Sequence, residues 1–183
     1  MDSESDRKRV DALTAEAENN LREGNQERAL ALYGELLALF ENMDDLVAKA
    51  RTLNNIGLLQ ARIDRYDEAL VSFRGALAIF EELGETLHVA EQWGNLGSVY
   101  RDLKDHDQAL QCYSSALPLY EGMGHVEGAA DQHTNIAYIR ALEGRHREAL
   151  SLYRRALPLY EQAGAEKKAE FTRRNIANLE GGV

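Results

Sequence analysis

The chain has 183 residues, 44% of them hydrophobic, with one cysteine, two prolines and a formal net charge of −10. A single cysteine excludes an intrachain disulfide, the negative charge argues against nucleic acid as the partner, and no run of about 18 apolar residues exists to span a membrane. The opening MDSESDRKRV lacks the apolar stretch of a secretion signal, so a cytoplasmic protein is the default expectation.

In chain order, the first predicted helix carries Val10, Leu13, Ala17 and Leu21 on a narrow apolar stripe. The polar turn from Arg22 to Asn25 leads to a second helix with Ala29, Leu30, Tyr33 and Phe40. The next pair places Leu53, Ile56, Gly57 and Gln60 on one helix and Ala69, Leu70, Phe73, Leu77 and Phe80 on the other. Spacings of three and four are one face of an α-helix. The pattern then repeats every 40 residues without a gap: Ala29, Ala69, Ala109 and Ala149; Tyr33, Phe73, Tyr113 and Tyr153; Phe40, Phe80, Tyr120 and Tyr160; Asn55, Asn95, Asn135 and Asn175. Four helical hairpins follow, at about 9–45, 46–85, 86–125 and 126–165, with a last helix at about 166–180 that stops at Gly181-Gly182. Both ends read as caps, so 1–183 is expected to be a single domain.

Within a hairpin the turns are short and polar, at Asp64-Arg65, Lys104-Asp105 and Gly144-Arg145, and Asp105 with Gln108 reads as a helix cap. Gly24, Gly84, Gly124, Gly144 and Gly164 read as helix stops, with Asp44 in a matching slot. Gly57, Gly97 and Ala137 are expected to face Ala69, Ala109 and Ala149, letting helix backbones approach, while Trp93, Leu96, Tyr113 and Leu117 fill the space between hairpins. Pro118 and Pro158 fall inside second helices, where a kink or a broken hydrogen-bond ladder is expected.

Trp93-x2-Leu96-Gly97-x2-Tyr100 followed by Ala109-x3-Tyr113 resembles the tetratricopeptide repeat family over nearly the whole chain. The family's usual unit has about 34 residues. The 40-residue form is similar to repeats of the kinesin light chain, of Pins-type adaptors and of many bacterial regulators. The resemblance implies an all-α, right-handed solenoid of about nine helices whose first helices line a concave groove for a partner segment. Residues after the small slot are Glu18, Leu58, Ser98 and Tyr138. These replace the donors by which some members clamp a C-terminal carboxylate, so that subfamily is disfavoured.

Residues spaced four, three and four share a helix face. That gives Arg51, Asn55, Leu58 and Arg62; Glu91, Asn95, Ser98 and Asp102; Asp131, Asn135, Tyr138 and Leu142; and Phe171, Asn175 and Asn178. The asparagines form a ladder. An amide donates and accepts, which suits a peptide backbone; alternatively each asparagine bonds the adjacent helix and holds the stack. Asn54, Arg51, Arg62, Arg101 and Arg174 are specificity candidates.

No catalytic constellation or cofactor motif stands out. His106 and His146 share a column with Tyr66 and read as packing residues, His133 occupies the Trp93 slot, and Cys112 reads as a small buried apolar side chain. Residues 1–45 carry net −7 and residues 126–183 carry +1. The partner is therefore expected to be a basic or neutral protein segment, with neither nucleic acid nor membrane involved, and the chain a monomer or weak homo-oligomer. The function that fits is a non-catalytic adaptor or scaffold. Its rivals are a sensor of a small peptide or effector and self-assembly by end-to-end stacking.

Overall fold

A computed structural model describes residues 3–181, and among them it contains nine α-helices and no strand. They are α1 (Ser3–Arg22), α2 (Gln26–Asn42), α3 (Leu46–Arg62), α4 (Tyr66–Leu83), α5 (Thr86–Asp102), α6 (His106–Gly122), α7 (Val126–Leu142), α8 (His146–Gln162) and α9 (Glu166–Gly181). Gly182, part of the expected final stop, lies outside the described residues. The chain gathers into two compact units, one ending at Glu85 and the other beginning at Thr86. In the first, α1 packs on α2, α2 on α3 and α3 on α4. In the second, each of α5 to α8 packs on the helix that follows it. No described helix is long and apolar enough to cross a membrane.

The buried stripes are those the spacing selects. In α4, Ala69, Leu70, Phe73, Ala76, Leu77 and Phe80 are all buried. Ala29, Ala69, Ala109 and Ala149 are fully inaccessible in their respective hairpins. The expected partner of the glycines is corrected, however. A Cβ placed on Gly57 would meet the Phe73 ring first, at 2.7 Å, and one on Gly97 the Tyr113 ring at 2.5 Å. The aromatic sits one turn beyond Ala69 or Ala109, so a ring, not a second small side chain, presses on the glycine. Ala17 and Ala137 hold the same slot in the first and fourth hairpins, in clusters with Tyr33 and Tyr153.

The turns are more regular than the sequence period. Left-handed backbone occurs at Gly24, Asp44, Asp64, Gly84, Lys104, Gly124, Gly144 and Gly164, spaced 20 apart. At every one, the next residue's N–H donates to a carbonyl five residues back, from Asn25 to Asn20 through to Ala165 to Tyr160. The left-handed residue's own N–H donates three residues back, as from Gly84 to Glu81. This double closure satisfies the last carbonyls of each helix. The expected glycine stops are confirmed, but Asp64 and Lys104 hold φ of 61° and 64° despite their Cβ atoms. Lys104→Gly should raise stability by about 0.5–1 kcal/mol, because relief of the left-handed strain exceeds glycine's extra unfolded-state freedom. An unchanged or lower urea midpoint would count against this.

Asp105 caps α6 through the Gln108 N–H at 3.2 Å, as its sequence suggests. The equivalent residue before α7 is His125, whose Nδ1 accepts from Gly128 N–H at 3.0 Å. Pro118 and Pro158 do not break their helices, since α6 and α8 each run uninterrupted for 17 residues. Both prolines face solvent, and each leaves its helix ladder short of one N–H donor. His146 is exposed and His106 half-buried, so His146 is not the packing residue its column implied.

Candidate functional site

In the second unit, the first helices of successive hairpins present one face each to a cleft of about 490 Å³. α5 contributes Glu91, Gly94, Asn95 and Ser98, and α7 contributes Asp131, Gln132, Thr134 and Asn135. Lys167, Lys168, Phe171 and Thr172 of α9 close one side, while Tyr120 and Tyr160 reach in from the ends of α6 and α8. Asn95, Ser98 and Asn135 are therefore brought together as their spacing implied. Asn135 is half-buried and makes no side-chain hydrogen bond among the described residues. The reading in which its amide ties two helices together has no bond behind it.

The two ends of this cleft differ in polarity and saturation. The Tyr160 hydroxyl donates to Asp131 at 2.8 Å and lies 3.2 Å from Thr134 Oγ1. Lys168 Nζ donates to both oxygens of Asp131 at 2.8 Å and sits 2.9 Å from Glu127. Its ammonium lies 5.7 Å from the Tyr160 ring centre. Burial lowers the Lys168 pKa, but the hydrogen bonds and charges of Asp131 and Glu127 outweigh it and hold the group above its ordinary value. The Lys168 hydrogen bond in turn holds Glu127 below the usual carboxylate range. Burial pushes Tyr160 well above the ordinary phenol value.

Forty residues earlier, the matching trio is Tyr120, Glu91 and Gly94. Gly94 has no hydroxyl to offer, and Tyr120 makes no hydrogen bond among the described residues. Burial, with Glu91 and Asp131 adding to it, pushes the Tyr120 phenol up to about 12. Glu91 is exposed and unpaired among the described residues. Beside them lies Gln132, 4% exposed, whose Nε2 donates weakly to the Gly128 carbonyl at 3.4 Å and whose Oε1 has no partner. The sequence reading missed Gln132. Its column runs Thr52, Gln92, Gln132 and Thr172; the two threonines each bond a carbonyl one turn back, so the pair of long buried amides between them was the available signal.

In the first unit, Asn55, Leu58 and Arg62 line a cleft of about 410 Å³ with Leu21, Tyr33 and Leu59. Arg51 and Asn55 line another of about 430 Å³ that Thr14, Glu18 and Tyr33 share. Arg51 and Arg62 are exposed and make no ion pair among the described residues. Asn54, Arg101, Tyr138, Arg174 and Asn175 line none of these three clefts. Asn54 Nδ2 points at Asn55 Oδ1 from 3.5 Å, Arg101 pairs with Asp102 at 2.9 Å, and Arg174 lies 3.6 Å from Glu170. Tyr138 is 46% exposed on the open face of α7.

Solved structures share this fold at low sequence identity. BtubC (BKLC) from P. vanneervenii matches with a TM-score of 0.72 at 20% identity, over 94% of this chain and 80% of that one. The apo form of RapI matches with a TM-score of 0.86 at 15% identity, over 95% of this chain but only 48% of RapI. MamA matches with a TM-score of 0.66 at 20% identity, over 85% of this chain and 81% of its own. No curated protein matches by sequence. The tetratricopeptide repeat family model matches residues 48–122 and 85–162, well over half of the sequence. With its 40-residue helical hairpins, buried alanine columns and matching family model, the chain belongs to the tetratricopeptide repeat family.

Proposed function

We propose that the protein is a non-catalytic cytoplasmic adaptor that holds an extended segment of another protein, basic or neutral in charge, against its first-helix faces. The observation that carries this is the second unit's cleft, where Asn95 and Asn135 stand on adjacent first helices and the Asn135 amide has no internal partner. A free amide can donate to a peptide carbonyl and accept from a peptide N–H at once. Arg51 and Arg62, which make no ion pair among the described residues, would offer donors to acceptors of a segment held on the first unit.

The test is selection of binders from a library of random linear peptides, followed by calorimetry on variants. Asn135→Ala should weaken a selected peptide by about 1 kcal/mol, near fivefold, because a buried peptide group loses its mate. Stability should hold, since Asn135 bonds nothing internally. Unchanged affinity together with a lower melting temperature would make the ladder structural and overturn this reading. A library that yields no binder to the folded chain would remove it as well.

A further inference from the structure

We infer that the Tyr120–Gln132–Glu91 corner of the cleft is a subsite for a basic side chain, by preference the guanidinium of an arginine. This rests on the reading of the cleft as the seat of a partner segment. Three side chains with unused acceptor capacity among the described residues line that part of the cleft. Gln132 Oε1 is buried without a partner among the described residues, and the Nε2 bond to the Gly128 carbonyl favours this orientation of the amide. The Tyr120 hydroxyl has lost the clamp that Tyr160 enjoys. Glu91 contributes an unpaired carboxylate.

Space is provided as well. A Cβ on Gly94 would meet only the Gln132 amide, at 3.6 and 3.8 Å, whereas the corresponding residue of the next hairpin is Thr134, whose hydroxyl lies by Tyr160. A recess is thus left where the next hairpin is filled. An unsatisfied buried acceptor is costly, so an incoming group gains most if it brings N–H donors. The charges agree. Lys168 is already paired with Asp131 and Glu127, which leaves Glu91 as the carboxylate of the lining without a partner among the described residues; Lys167 of α9 also lines the cleft. A planar guanidinium offers five N–H groups, enough for three separate acceptors. Phe171, 55% exposed on the same cleft, gives its stem or its plane a face to lie on.

The full chain, isotope-labelled, is titrated with N-acetyl-arginine amide and followed by NMR. Saturable shifts are expected at the Gln132 side-chain amide and the Gly94 N–H. N-acetyl-citrulline amide, similar in shape but uncharged, should bind about fivefold more weakly, as should arginine to Glu91→Gln. Gly94→Thr restores the hydroxyl and fills the recess, so it should weaken the probe about tenfold while the melting temperature stays level or rises. Absent shifts at these positions, equal binding of citrulline, or undiminished binding by both variants would overturn the subsite. Library peptides that bind while the arginine probe does not would remove the subsite and leave the groove. The reverse result would keep the subsite and remove the groove.

Discussion

Gly97→Leu should destabilise the second unit by about 3 kcal/mol or more, the upper end of what overpacking costs in a rigid core. Even the first added carbon would fall 2.5 Å from the Tyr113 ring, and Tyr113 is wholly buried between Ala109 and Ile139. The ring has nowhere to retreat, so the hairpin must open. Gly97→Ala should cost less than Gly97→Leu, since Ala17 and Ala137 show that the fold can carry a methyl in that slot beside a tyrosine. Denaturation midpoints of the two variants check this. A leucine variant as stable as the parent would show that α5 and α6 do not meet at this seam.

Alkali should unfold the protein cooperatively. Tyr33, Tyr113, Tyr120, Tyr153 and Tyr160 all have raised pKa values, with burial as the first cause in each case. Tyr120 and Tyr153 are pushed up to about 12. A phenol whose folded pKa exceeds its unfolded value near 10 contributes stability that is fully present below about pH 10. That contribution is lost as pH rises through the folded value. Between about pH 10 and 12 the unfolded chain therefore releases protons the folded chain keeps, and the balance moves toward unfolding. Phenolate absorbance and helical circular dichroism, recorded together, read this out. All eight tyrosines ionising while the helix signal stayed intact would refute the buried-phenol account.

The architecture was legible because period and helix face are both one-dimensional. Columns such as Ala29 to Ala149 and Asn55 to Asn175 declare which residues share an environment. What a column does not declare is its neighbour across the hairpin, so Gly97 was matched with Ala109 when the Tyr113 ring one turn on was the true contact. Lys104 gave no sign of left-handed backbone, because nothing in a lysine advertises positive φ; Asp64 was weakly marked, since aspartate enters that region more readily than most residues, and both stand in the column of Gly24 and Gly144. The candidate site was half visible. Asn95, Ser98 and Asn135 followed from helical spacing. Gln132 and Tyr120 did not, because their interest lies in bonds that are absent, and a missing Thr hydroxyl at Gly94 is seen only when two hairpins are laid over each other in space.

The uniform turns also bear on how fast the chain folds. Within each unit every helix packs on its neighbour in sequence, and eight closures of one geometry join the helices. No contact in a hairpin has to wait for a distant stretch of chain, so the entropy of loop closure stays small at each step. Such short-range topology belongs with domains that fold in about microseconds to milliseconds. Nucleation can start at any hairpin and spread to the next within its unit. The main stopped-flow refolding phase should therefore fall well short of seconds, with only the minority of unfolded chains that carry Pro118 or Pro158 in the cis form folding more slowly.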